Sequence, residues 1–76
     1  MKPSLIVRLG RRLRALREER GWNQSYLAEV AGVGRAHLSQ IENGAVAARI
    51  DTLEVLSKSL GINLSVLFKD SLGERS

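Results

Sequence analysis

The chain of 76 residues has no cysteine, one proline, one histidine and only three aromatic residues, Trp22, Tyr26 and Phe68. Each shortage closes a route. Without cysteine there is neither a disulfide framework nor a thiolate metal site. Aliphatic side chains must therefore hold together a chain near the lower size limit for unassisted folding. A lone histidine, His37, gives a His-centred triad or a His-rich metal site little to build on. Glu18 and Glu19 are adjacent, so on a helix they do not face each other and form no acid/base dyad. No enzyme activity, cofactor, metal or small-molecule ligand is expected. No apolar run exceeds four residues, which excludes a membrane span and a signal-peptide core. Together with the missing cysteines, this points to a cytoplasmic protein.

Acidic charge is also in short supply. Eight acids face twelve Lys and Arg residues, for a net charge of +4 and a pI near 10.4. The imbalance is local: residues 1–20 hold seven of the twelve basic side chains and two of the eight acids, and the remainder is close to neutral. Such a chain favours a polyanionic partner, nucleic acid first and anionic lipid second.

What is present is helical periodicity. One helix is expected from Ser4 to Arg20, capped by Ser4, with Ile6, Leu9, Leu13 and Leu16 on one face and Gly21 ending it. Asn23 opens a second helix of about eight residues, with Leu27, Ala28 and Ala31 inward and Gly32 as its stop. A third runs from Arg35 to Glu42 with Leu38 and Ile41 inward, and Asn43-Gly44 ends it. Residues 45–49, AVAAR, carry no conformational signal. A fourth helix near Ile50 to Leu60 turns Ile50, Leu53, Leu56 and Leu60 inward, with Gly61 as terminator. Asn63 caps a last short helix in which Leu64, Leu67 and Phe68 share a face. The expected fold is all-α, a compact bundle of about five short helices, with residues 1–70 as the domain and 71–76 as a frayed tail.

Helices two and three are too short to stand alone, so they persist only by packing on the others. The AGVG corner between them, residues 31–34, is a tight turn containing glycine, the signature of a helix-turn-helix. That geometry leaves one helix protruding, with Arg35, Ala36, His37, Ser39 and Gln40 outward. A DNA major groove, about 12 Å wide, admits such a helix by its N-terminal end.

LGRRLRALREERGWNQSYLAEVAGVGRAHLSQIENG, followed after a linker by DTLEVLSKSLGINLSVLF, resembles the phage-repressor and Cro-like helix-turn-helix regulators, which include restriction–modification controller proteins. The likeness covers Leu9 to about Asp70. Gln24 after a cap residue, Leu27-Ala28, Ala31-Gly32-Val33, Glu42-Asn43-Gly44 and Leu60-Gly61 all sit at the family's spacing. The resemblance implies a lambda repressor-like DNA-binding domain: a transcriptional regulator that binds a pseudo-palindromic operator in double-stranded DNA as a homodimer, with helix 35–42 in the major groove. No separate effector domain is visible, so regulation is expected through dimerisation, abundance or promoter overlap. The rival reading is an antitoxin-like protein-interaction module whose DNA binding is secondary or absent.

Residue by residue, Arg35 can donate two parallel bonds to guanine or clamp a phosphate, or else be a solvated Arg poorly placed for the helix dipole. Ala36 offers a methyl to thymine or is simply a good helix former. Gln40 can pair bidentately with adenine. His37 touches a base or phosphate, or is an exposed helical histidine. Gln24 and Asn43 resemble the family's phosphate clamps, and Ser39 and Arg49 join them as backbone contacts. Arg17 and Glu42 match positions where family members pair an Arg of helix one with a Glu ending helix three. The basic run of helix one, Arg8, Arg11, Arg12 and Arg14, spreads over the side opposite the leucines and is expected to supply long-range attraction with one or two phosphate contacts.

Three departures from the family stand out. The linker after Gly44 lacks the usual basic or polar residues apart from Arg49, so weaker non-specific affinity is expected. Gly34 replaces a Ser or Thr cap. Val55 and Val66 point away from the inward faces and, with Ile62, form a candidate dimer interface.

Overall fold

Ser4 and Asn23 open the first two helices of the computed structural model, which describes residues 4–72. The Ser4 hydroxyl accepts from the Val7 amide at 3.4 Å and Asn23 Oδ1 from the Tyr26 amide at 2.8 Å. Caps of this kind stabilise by about 1 kcal/mol each. Five helices follow in order: α1 Leu5–Glu19, α2 Gln24–Ala31, α3 Arg35–Glu42, α4 Ile50–Ser59 and α5 Leu64–Leu72. Asn63 opens α5, its Oδ1 accepting from the Val66 amide at 2.9 Å. No strand occurs among the described residues, and no helix there is long and apolar enough to cross a membrane.

Helix α1 packs on α3 and α5, α2 on α3 and α4, and α4 on α5. One core results, made of Leu9, Leu13, Leu16, Leu27, Ala28, Leu38, Ile41, Leu53, Leu56, Leu60 and Leu67. Truncating a leucine in such a core to alanine costs roughly 2–5 kcal/mol. Two buried serines sit among the aliphatics, Ser57 and Ser71. Each hydroxyl donates back to the carbonyl four residues earlier, Leu53 and Leu67, at 2.8 Å, so neither is left unpaired.

Three expectations need correction, and the linker left open by the sequence takes a definite form. Ile6 and Ile50 are exposed, Ile50 at 61%, because both lie in the first turn of their helices at the edge of the apolar stripe. Leu5 packs against the core on α1 in place of Ile6. Ser71 and Leu72, expected in the tail, belong to α5; residues 73–76 of that tail lie outside the described residues. The 45–49 linker is irregular, bending at 45–46, and its exposure alternates, with Val46 and Ala48 against the core and Ala45, Ala47 and Arg49 exposed. Finally, Ile62 is half-buried against the core as the residue after Gly61, its amide bonded to the Ser57 carbonyl at 3.0 Å. Val55 and Val66 remain exposed at 39% and 38%.

Candidate nucleic-acid interface

The corner between α2 and α3 is set by its first glycine. Gly32 has φ 71°, a left-handed conformation open to glycine and costly for other residues. It allows the Val33 amide to donate to the Ala28 carbonyl at 2.9 Å, and the Val33 side chain folds back against the core. Gly34 then starts α3 in extended geometry with no side-chain cap.

Helix α3 divides cleanly. Leu38, Ile41 and Glu42 are buried; Arg35, Ala36, His37 and Gln40 are exposed; Ser39 is half-buried. Arg35, Ala36 and Ser39 share a shallow open concavity with Gln24, so the start of α2 and the leading end of α3 present one surface. Asn43 is exposed at the far end of α3. Arg49 is exposed as well and pairs with Asp51 at 3.3 Å, a surface contact of little energetic weight.

Behind this surface lies a buried polar network. Arg17 Nε and Nη2 donate to the two carboxylate oxygens of Glu42 at 2.8 and 2.9 Å, a bidentate pair with Arg17 7% and Glu42 4% exposed. Arg17 Nη1 donates to the Trp22 carbonyl at 2.7 Å. Gln24 Nε2 donates to Glu42 Oε1 at 3.1 Å, which leaves its second amide hydrogen for an outside acceptor. One carboxylate therefore ties α1, the start of α2 and the end of α3 together. The bond to Glu42 raises the Arg17 pKa above its ordinary value, with burial opposing and the charges of Glu42 and Glu18 adding to it. A raised cation pKa stabilises fully below the unfolded value and is lost only as pH climbs through the folded one, far into alkali. Arg17 consequently adds no pH dependence near neutrality.

Arginines of the α1 basic run also make contacts within the molecule. Arg12 Nη2 pairs with Asp70 at 3.1 Å and Arg8 Nη1 donates to the Ser71 carbonyl at 3.5 Å, both across to α5. Arg20, just past α1, donates to the Leu16 carbonyl at 2.7 Å and to the Leu60 carbonyl at the end of α4. Arg14 pairs with Glu18 on the same helix at 3.2 Å. Sequence reasoning missed the contacts to α5 and to the end of α4, because a helical wheel shows which way a side chain leaves its helix and not what it meets.

It also missed Gly10, buried in the middle of α1. An added Cβ there would come within 2.9 Å of the Glu42 carbonyl oxygen and closer still to that of Ile41. The available signal was a glycine inside a leucine-rich helix, where glycine is unfavourable without a packing reason.

Comparison with known proteins agrees with this geometry. A family model described as helix-turn-helix matches residues 13–67. The control protein C.MunI of Mycoplasma sp is 38% identical over 65 residues, 84% of this chain and 88% of that protein. The immunity repressor protein of Bacillus phage phi105 is 37% identical over 59 residues, 78% of this chain and 41% of the repressor, so the chain spans less than half of that relative. The crystal structure of the restriction-modification controller protein C.AhdI from Aeromonas hydrophila superimposes with a TM-score of 0.78 at 31% identity, covering 82% of this chain and 94% of that one. With a buried three-helix junction behind an exposed α3, and with most of its length matched, the chain belongs to the helix-turn-helix family.

Proposed function

We propose that the protein is a sequence-specific DNA-binding transcriptional regulator without catalytic activity, which inserts the leading end of α3 into the major groove. The observation that carries this reading is the division of α3: its apolar residues are buried while Arg35, Ala36, His37 and Gln40 stand together in solvent. Arg35 donates to O6 and N7 of a guanine, Gln40 pairs with an adenine edge, Ala36 meets a thymine methyl, and His37 contacts an adjacent base. Gln24, Ser39, Asn43 and Arg49 position the sugar-phosphate backbone, Gln24 through the amide hydrogen that Glu42 does not take. The names of the relatives, a control protein and an immunity repressor, fit this role.

The regulator acts as a homodimer through α4 and α5, where Val55 and Val66 expose apolar surface. A two-fold pair of α3 helices about 34 Å apart reads a pseudo-palindromic operator. Selection of bound sequences from random duplex DNA tests the whole reading. A motif with two-fold symmetry, bound with steep salt dependence, is the expected result. No enrichment, or binding indifferent to salt, contradicts it and favours a protein-interaction role. Sedimentation then checks the dimer, which Val66→Asp is expected to dissociate.

A further inference from the structure

We propose that Gly10, together with Val7, is the seat that fixes the carboxyl end of α3 and thereby sets how its leading end is presented to DNA. The proposal rests on the reading of α3 as the DNA-contacting helix. A glycine inside a helix is unfavourable relative to alanine, so its presence calls for a compensating contact. The contact is backbone against backbone. The atoms that an added Cβ would strike at Gly10 are the carbonyl oxygens of Ile41 and Glu42 and, at 3.1 Å, the Glu42 carbonyl carbon. None of these is the movable end of a flexible side chain. The last turn of α3 thus lies directly on the α1 main chain, and the absence of a side chain at Gly10 determines how close it comes.

A second close approach adjoins the first. Gly44, just beyond α3, has φ 70°, and a Cβ there would fall 2.9 Å from Val7 Cγ2 and 3.1 Å from Val7 Cα. Val7, Gly10 and Arg17 are three and seven residues apart, which puts them on one face of α1. Arg17 grips Glu42 from that same face. Three contacts therefore converge on residues 41–44. The leading end is held by side chains instead: Leu38 is buried and Val33 packs on the core, while a Cβ added to Gly34 would meet nothing within 4 Å.

With its carboxyl end seated on main chain, α3 carries a displacement of that seat along its axis toward Arg35. Eight residues of α-helix span about 12 Å, so a small change of angle at the seat moves Arg35 by a comparable fraction of that length. Bidentate contacts to a base edge tolerate only a few tenths of an ångström before they weaken. Gly10 touches no DNA; it is a positioning residue whose effect falls on sequence discrimination rather than on general attraction to phosphate.

The test uses the full chain as wild type, Gly10→Ala and Val7→Ala, each checked for helix content and thermal unfolding. Dissociation constants are measured at one salt concentration for a duplex selected by the wild type and for an unrelated duplex of equal length. Gly10→Ala is expected to lower affinity for the selected duplex by about tenfold or more, the scale of one lost base-pair contact. Its affinity for the unrelated duplex should stay within about twofold, since that binding is electrostatic. Val7→Ala, which removes packing beneath Gly44, is expected to shrink the same ratio by about threefold. A folded Gly10→Ala protein with the wild-type ratio overturns the proposal. If Gly10→Ala does not fold, Val7→Ala decides, and an unchanged ratio there overturns it. A wild type that prefers no selected duplex sinks the DNA-binding reading, and this proposal with it.

Discussion

Helix α1 holds five arginines and α3 holds one, yet the two helices use positive charge in opposite ways. On α1, Arg17 is buried against Glu42, Arg12 pairs with Asp70, Arg8 reaches the Ser71 carbonyl and Arg14 pairs with Glu18. These side chains bind neighbouring parts of the molecule. On α3, Arg35 is exposed and makes no ion pair among the described residues. Charge density along the sequence therefore coincides with contacts that hold the bundle together. A positive net charge favours attraction of DNA from a distance, and the proposed base contacts lie on α3, whose one arginine is exposed.

The contrast can be broken most forcefully at the Arg17–Glu42 pair. Glu42→Ala leaves a buried guanidinium unpaired, and urea unfolding is expected to show a loss of about 3–5 kcal/mol. The double replacement of Arg17 and Glu42 by Met and Leu should recover most of that loss, since similar-sized apolar residues often replace a buried pair at little cost. If Glu42→Ala unfolds at the wild-type midpoint, α1 does not brace α3 as described.

Arg35→Ala should do the reverse. Stability is expected to stay within about 0.5 kcal/mol, while binding to a selected duplex weakens by about 1–3 kcal/mol, with discrimination lost at one position of each half-site. An unaltered site preference removes Arg35 from the base readers. The smallest effect belongs to Arg12→Ala, which breaks a half-exposed pair with Asp70 and should cost at most about 1 kcal/mol of stability. The dependence of binding on salt should keep its slope in that variant. A slope reduced by about one would mean that Arg12 meets a phosphate, and the two helices would differ less than their contacts imply.

Helix ends were legible in the sequence because their causes are local. Ser4 and Asn23 cap from within three residues, and Gly21, Gly32, Gly44 and Gly61 all take positive φ at helix ends. The exposed set on α3 was legible for the same reason, since Leu38 and Ile41 orient an eight-residue helix unambiguously. Periodicity failed at Ile6 and Ile50, first-turn positions at the edge of the apolar stripe that remain exposed. The arginine clamps were hidden because their partners are 40 to 63 residues away. The Arg17–Glu42 pairing came from family resemblance alone, as nothing in either residue's local sequence points to the other. Gly10 went unread because its meaning lies in the main chain of α3, which periodicity does not represent.

Backbone amide mapping of the labelled protein during titration with a selected duplex tests the central claim most directly. The largest shifts should fall on the start of α2 and on residues 34–40, with the arginine-bearing surface of α1 changing little. Shifts concentrated on α1, with residues 34–40 unmoved, would contradict the assignment of DNA contact to the leading end of α3.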